Sequence, residues 1–199
     1  MEFMQYNLSE ITELIRSRRS IAPEHFSSRK VHREQIELLL NNAIWAPNHG
    51  LTQPWRFIVM NGSHLEALSD AARAAAIDGK NPEDINMNKV ERMVSRIRST
   101  SVAIAIIYQQ NESEKVPEWE EIAAIGAAVQ NLHLTAHAYG LAGFWSTPAA
   151  MQTEQVRTFL ELQQGQFCKG LFFVGYPKDG DYNSHRRPLE YSTKWNWDE

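Results

Sequence analysis

Residues 102–108 read VAIAIIY, an unbroken apolar run in a chain that is 43% hydrophobic. Short apolar runs rich in β-branched side chains are typical of a strand that is covered on both faces of its sheet. The run is far shorter than the roughly 20 apolar residues that a membrane-spanning helix needs. We therefore expect residues 102–108 to form a strand in the centre of a sheet with helices on both faces.

Helical and strand periodicities alternate on either side of this run. The sequence predicts a first helix capped by Asn7, a third capped by Ser63, and a polar loop over residues 78–88 that could act as a lid. No repeat or compositional break divides the chain, so we expect an α+β fold of three layers in one domain over residues 1–199. The predicted helices are 8–16, 32–46, 63–76, 89–99, 118–139 and 153–160, and the other strands are 55–60, 143–145 and 170–175.

Composition narrows the class of function. With 199 residues and a net charge of -4, the chain has no general attraction to nucleic acid or to anionic membranes. The amino terminus, MEFMQYNLSE, lacks the basic and apolar segments of a secretory signal, so we expect cytoplasmic residence. Cys168 is the only cysteine, which excludes an internal disulfide or a CxxC pair and suggests a buried thiol. Redox chemistry would need a cofactor.

Two arginine clusters are candidates for anion binding. Arg18, Arg19 and Ser20 follow the first predicted helix, and guanidinium groups beside a hydroxyl suit a phosphate. Arg186 and Arg187 lie in the polar tail and could close on the same anion. The alternative for both clusters is a solvated surface, with the first complementing the dipole of its helix.

A loop between two prolines, residues 47–54, could aim polar side chains at a ligand. Asn48, His49 and Gln53 could serve the pyrimidine edge of a flavin ring, and Trp45 could help to form an apolar slot for its faces. The alternative makes His49 a structural hydrogen-bonding residue.

The segment after the long helix brings glycines close to an aromatic and hydroxyl-bearing stretch. Backbone amides around Ser146 could donate to a flavin, and Trp145 could be a pocket wall or ordinary core. His133 and His137 are four residues apart on the helix, but no carboxylate completes a metal site there, and we expect no metal. Rossmann, P-loop, zincin and hydrolase motifs are absent from the sequence.

The ordered set of these motifs resembles the nitroreductase family of flavoproteins, in its minimal-size bacterial branch. The matching segments are Arg18-Arg19-Ser20, Ala46-Pro47, Gln53-Pro54-Trp55-Arg56-Phe57, Gln130-Asn131-Leu132 through Gly140-Leu141, Gly175-Tyr176-Pro177 and Arg186-Arg187-Pro188-Leu189-Glu190. The resemblance implies a central, mainly antiparallel sheet between helical layers, in an interlocked homodimer with FMN at the interface.

The resemblance also implies roles for individual residues. Arg18, Ser20 and Arg186 would hold the FMN phosphate, with Arg19 and Arg187 as supporting donors. Residues 135–140 would lie where NADH or NADPH approaches. The residues that would line the flavin are Trp45, His49 and Gln53, and those that would cover the ring near N5 are Trp145, Ser146 and Thr147.

Two positions depart from the family pattern. Many members carry a basic residue two positions after the early serine, near flavin N1 and O2, where this chain has Ala22. Reduced FMN is anionic at N1 and would need another partner here. Many members also have an asparagine where this chain has Leu51, a role that Asn48 or His49 could take.

The function implied is a two-step oxidoreductase that takes a hydride from NADH or NADPH at flavin N5 and reduces nitroaromatics, quinones or related small acceptors. No residue is named as a catalytic acid or base, since the flavin supplies the chemistry. The alternatives from other classes are a flavin-binding or flavin-storing protein without turnover and a phosphate-recognising interaction module.

Overall fold

The structure is a computed structural model that describes residues 6–111 and 115–197. Residues 1–5 lie outside the described residues. They belong to the amino-terminal segment from which the sequence analysis predicted that there is no secretory signal. Within the described ranges the α-helices are α1 (Leu8–Ser17), α2 (Arg33–Ala43), α3 (Ser63–Ile77), α4 (Met87–Ser99), α5 (Glu118–Ala138) and α6 (Glu154–Phe159). The strands are β1 (Trp55–Asn61), β2 (Val102–Gln109), β3 (Ala142–Ser146) and β4 (Gln166–Gly175).

The four strands form one sheet in the order β1-β2-β4-β3, and every neighbouring pair is antiparallel. The predicted central strand is confirmed, because β2 lies between β1 and β4. Its register is fixed at both ends: Trp55 pairs with Tyr108, and Asn61 pairs with Val102. The outer strands β1 and β3 are therefore the two edges of the sheet.

Helices cover both faces of the sheet. Alternate β2 residues point to opposite sides, so Ile104 and Ile106 pack with α2 and α5 while Ala105 and Ile107 pack with α3, α4 and α6. Both cores are apolar and the central residues are fully buried. The three-layer α+β arrangement expected from the sequence is confirmed.

Some boundaries differ from the predicted ones. Ser63 does not cap α3, because Gly62 with φ 54° occupies the capping position and Ser63 is already the first helical residue. The 78–88 loop contains a 3-10 turn, Pro82–Asp84, and α4 begins inside it at Met87. Strand β4 begins at Gln166, earlier than predicted. Asn7 caps α1 through its side chain as expected, and Cys168 is a buried free thiol.

No helix in the described part of the chain combines the length and apolarity that crossing a bilayer requires.

His133 is a polar residue inside the core between α5 and the sheet. Its side chain is only 8% exposed, and its ring meets Phe172 edge to face with centroids 4.7 Å apart. Its Nδ1 has no hydrogen-bond partner among the described residues. Burial, with a smaller contribution from the positive charge of Arg18, lowers the pKa of His133 to about 4. The imidazole is therefore neutral at pH 7.

Because His133 takes up a proton more readily in the unfolded chain than in the folded one, the free energy of unfolding should decrease as the pH falls. The unfolded histidine takes a proton below pH 6.5 while the folded one stays neutral until about pH 4, so stability is lost as the pH falls through this window. We expect a loss of about 2 kcal/mol between pH 7 and pH 5, measured by urea unfolding. His133→Gln should remove most of that slope. An unchanged slope in the variant would contradict this assignment.

Candidate functional site

The first arginine cluster lies where α1 ends and the chain meets the edge of the sheet. Ser20 forms a single parallel bridge with Gly143 of β3, and Ile21 N–H donates to the Gly143 carbonyl at 3.1 Å. Arg18 Nη1 donates to Ser20 Oγ at 3.3 Å. The edge strand thus fixes a guanidinium and a hydroxyl side by side, as the sequence predicted for an anion site.

Arg18 is electrostatically unsatisfied. Its Nε is buried and has no hydrogen-bond partner among the described residues. Burial and the nearby charges of Arg186 and Arg19 hold the pKa of Arg18 below its usual value. A buried donor without a partner and three converging cations favour an anion at this position.

The polar tail closes this region into a cleft of about 740 Å³. Arg18, Ser20 and Arg186 all line it, so the structure brings these three predicted residues together. Its lining also carries one further cation, Lys178, and the carboxylates of Asp179 and Asp181. With Arg19 the lining has four cations against two carboxylates, which keeps the cleft positive.

Arg19 and Arg187 are engaged elsewhere. Arg19 donates from Nε to the Tyr182 carbonyl at 2.8 Å, and from Nη1 to the carbonyls of Arg16 and Arg18. These bonds attach the tail to the end of α1 and leave only Nη2 for a ligand. Arg187 lies over the ring of Tyr191 at 4.1 Å and does not line the cleft.

The loop before β1 has a backbone that is unusual at three of four consecutive positions. Gly50, Leu51 and Gln53 have φ values of 63°, 52° and 47°, and for the two residues with a Cβ this costs about 1 kcal/mol or more each. Asn48 compensates in part, since its Oδ1 accepts from Gln53 N–H at 2.9 Å. Backbone strain of this kind is often retained where a loop holds a ligand.

The first turn of α5 fixes His49. Its Nδ1 lies 2.6 Å from Glu120 Oε2, while Glu121 in the same turn is buried and accepts from Tyr108 Oη at 2.7 Å. Burial and this bond raise the pKa of Tyr108, which stays protonated. The sequence analysis missed Glu120, because only the fold brings residues 49 and 120 together. Trp45 is 84% exposed, so nothing in the described chain covers it.

The Trp145-Ser146-Thr147 segment lies at the end of β3. Gly170 of β4 lies beneath it, and a Cβ at Gly170 would clash with the Ser146 carbonyl. Trp145 is partly buried, and its Nε1 is a buried donor without a partner in the described chain. Ser146 lies three residues from Gly143, about 10 Å along the same edge as Ser20.

Within one chain the predicted site residues fall into two groups that lie far apart. Arg18, Ser20 and the 145–147 segment are at the β3 edge. The 48–53 loop precedes β1, which is the opposite edge of the sheet. Along the strands this loop lies at the Tyr108 end of β2, whereas Gly143 aligns with the Val102 end. Three strand spacings across and six residues along place Gly143 about 25 Å from Trp55, while Ser146, three residues nearer along the strand, is about 17 Å from Trp55.

A third group of cations was not singled out from the sequence. Lys89, Arg92 and Arg96 of α4 line a cleft of about 230 Å³ together with Ser146 and Pro148. Their spacing of three and four residues places them on one helix face, a signal present in the sequence. It could not be interpreted there, because the same pattern is typical of a solvated helix face.

The histidines of α5 do not form a metal site. His133 is buried against Phe172, and His137 Nε2 lies 2.8 Å from Ser17 Oγ. Across residues 6–111 and 115–197, no group of three or more potential metal ligands occurs.

Comparison with known proteins gives a consistent result. The model of the nitroreductase family matches residues 15–176. YfhC of Bacillus subtilis, a candidate NAD(P)H nitroreductase, is 27% identical over 181 residues, covering 91% of each chain. A nitroreductase-like protein from Bacillus cereus has a TM-score of 0.80 at 24% identity, with 98% of each chain covered. A candidate nitroreductase from Desulfovibrio desulfuricans, solved with FMN, has a TM-score of 0.71 at 25% identity, with 98% and 100% covered.

The family model spans most of the chain, including β1 to β4 and the arginine cluster that contacts β3. The resemblance found in the sequence is thereby confirmed, and the chain belongs to the nitroreductase family.

Proposed function

We propose that the protein is an FMN-dependent NAD(P)H oxidoreductase that works as a homodimer. The observation that carries the proposal is the cleft in which Arg18, Ser20 and Arg186 converge, with the buried Arg18 Nε unpaired. The names of relatives support it: the Bacillus subtilis protein is named for NAD(P)H nitroreductase activity, and the Desulfovibrio desulfuricans protein was solved with FMN.

The cleft fits the phosphate of FMN. Guanidinium groups donate charge-assisted hydrogen bonds to phosphate oxygens, and a serine hydroxyl adds a further donor. Arg18 and Arg186 would contact the phosphate directly, with Ser20 between the guanidinium groups and β3. Arg19 would act mainly by holding the tail in place through the Tyr182 carbonyl.

Two copies of the chain would complete each flavin site. Within one chain the 48–53 loop lies at the opposite edge of the sheet from Arg18 and Ser20, so Trp45, His49 and Gln53 would come from the partner. Apolar exposure supports this arrangement, since α1 has no buried residue and Leu8 and Trp45 are 75% and 84% exposed. In the tail, Trp195 and Trp197 are also mostly exposed and could reach around a partner.

Once bound, FMN would supply hydride transfer from NADH or NADPH to a nitroaromatic, quinone or related small acceptor. The backbone around Ser146 and Thr147 would orient the ring near N5, and Trp145 would exclude water from one side. The His49–Glu120 pair would keep the imidazole directed at the ring. Residues 135–140 would form the approach for the nicotinamide, with Tyr139 half exposed there.

A flavin-storing protein without turnover is the second candidate. The two functions differ in one observation, the bleaching of the bound flavin by NAD(P)H under nitrogen followed by its recovery when an acceptor is added. Bleaching and recovery identify a reductase. A flavin band that NADPH and NADH both leave unchanged would favour storage, and a chain that binds no FMN would overturn both.

Substitution of Arg18 tests the phosphate site. Hydrogen bonds to charged groups contribute about 1.5–3 kcal/mol, so Arg18→Gln should weaken FMN binding by about 10- to 100-fold. Quenching of FMN fluorescence measures the dissociation constant. Arg33→Gln, which removes an exposed arginine paired with Glu37, is the control and should bind like the wild type. Equal affinities for all three proteins would refute the assignment.

Mixed dimers test whether the site is shared. Arg18→Gln and Gln53→Ala would disable opposite halves of a shared site, so a dimer with one subunit of each kind has one intact and one doubly altered site. Random assortment should restore about one quarter of the wild-type FMN sites in co-expressed protein. If each site lay within one chain, co-expression would restore none.

A further inference from the structure

A small cleft between α4 and the end of β3 forms a basic region separate from the arginine cluster. Its volume is about 230 Å³, and it shares no lining residue with the cleft that contains Arg18. One side comes from residues of α4 that are three and four positions apart, and therefore lie on one helix face. These residues are Lys89, Arg92, Met93 and Arg96, and the other lining residues are Ser146, Pro148 and Phe173.

Lys89 and Arg92 give this cleft its positive charge. Both are exposed, and within residues 6–111 and 115–197 no carboxylate lies within ion-pair distance of either. Arg96 differs, because its Nε donates to Glu24 Oε1 at 2.8 Å and its guanidinium lies over the Phe144 ring at 4.9 Å. No acidic residue lines the described cleft, so two uncompensated cations favour an anionic ligand group.

The remaining lining of the cleft is mostly apolar. Met93 is partly buried, Phe173 is 2% exposed, and Pro148 presents an apolar ring. Covering such surface with apolar ligand atoms is favourable. A cavity of roughly 150 Å³ is enough to hold a benzene ring, so this cleft has room for one aromatic ring with a small substituent.

The combination of charge and apolar surface distinguishes between classes of ligand. A free phosphate would pair with Lys89 and Arg92 but leave the apolar lining uncovered. A neutral aromatic ring would cover that lining but leave both cations unpaired. An aromatic ring that carries a carboxylate would satisfy both parts of the cleft.

We propose that this cleft binds aromatic carboxylates, and that the acceptors of the enzyme are electrophilic aromatic compounds that carry such a group. This inference rests on the proposed function, which places Ser146 beside flavin N5. With its carboxylate at Lys89 and Arg92 and its ring against Met93, the acceptor would direct its reducible group toward Ser146. For 4-nitrobenzoate, the nitro group takes up a hydride and one proton, an N–O bond breaks, and 4-nitrosobenzoate and water leave, with NAD(P)H as the reductant.

The binding test is a calorimetric titration of the purified protein, in saturating FMN, with three small probes. Benzoate has both the ring and the charge, benzamide lacks the charge, and acetate lacks the ring. Benzoate should bind about tenfold more tightly than either of the others. In Lys89→Gln/Arg92→Gln its binding should weaken about tenfold while that of benzamide changes less than about twofold, because the loss is of two exposed ion pairs. Raising the ionic strength to about 0.5 M should weaken benzoate binding to the wild type in the same direction.

The kinetic test compares 4-nitrobenzoate with the neutral 4-nitrobenzamide. Stopped-flow absorbance follows reoxidation of the reduced flavin by each acceptor under nitrogen. In Lys89→Gln/Arg92→Gln, the 4-nitrobenzoate concentration that gives the half-maximal rate should rise about tenfold. The limiting rate should change less than about twofold, since the cations bind the carboxylate and not the reacting nitro group.

Two further variants serve as controls. Arg29→Gln/Lys30→Gln removes the same number of charges from a separate cleft beside Asn61 and Ser101, so it matches the test variant in net charge. It should bind benzoate like the wild type. Lys89→Arg/Arg92→Lys keeps both charges in the α4 cleft and should retain benzoate binding within about threefold.

Several results would overturn the inference without touching the proposed function. A reductase that binds benzoate no more tightly than benzamide or acetate would do so, and so would equal benzoate affinities in the wild type and in Lys89→Gln/Arg92→Gln. Unchanged benzoate binding in that variant, with a raised KM for NADPH but not for NADH, would assign the cleft to the extra phosphate of the donor. A wild-type chain that binds no FMN would instead overturn the proposed function and the acceptor role, while the benzoate titration of that chain still tests the cleft itself.

Discussion

The two middle strands of the sheet are buried on both faces, and this constraint determines where the molecule can hold a ligand. β2 and β4 pack against α2 and α5 on one side and against α3, α4 and α6 on the other. In the middle of these strands the side chains are fully buried. The polar residues predicted to bind a ligand therefore lie at the edge strands β1 and β3 and in the segments next to them.

The segments next to the two edge strands place polar groups there in different ways. At β3 the chain from α1 adds a single bridge through Ser20, and the tail crosses above it, so guanidinium groups from both ends of the sequence converge. At β1 the 48–53 loop is held in a strained conformation by Asn48 and by Glu120 of α5. In the proposed homodimer, the β1 edge of one copy would meet the β3 edge of the other.

The sequence predicts the fold well where periodicity is strong. The 102–108 run and the long small-residue helix lie where expected, since burial on both faces selects such residues. The start of β4 was missed because Gln166 and Lys169 do not resemble the apolar segment 170–175. The His49–Glu120 contact and the three carbonyls around Arg19 depend on tertiary approach, so no local pattern could reveal them.

The arginine cluster has an electrostatic cost within the fold. Arg18 is partly desolvated, lies near two other cations and leaves Nε unpaired, and each of these terms disfavours its charge. A dianionic group in the cleft would reverse all three, because it supplies hydrogen-bond acceptors and screens the repulsion between Arg18 and Arg186. Binding free energy at this site is then also stability of the folded chain. Arg19 is held by three carbonyl oxygens, which keep a third guanidinium near the cleft while most of its donors are directed to the backbone.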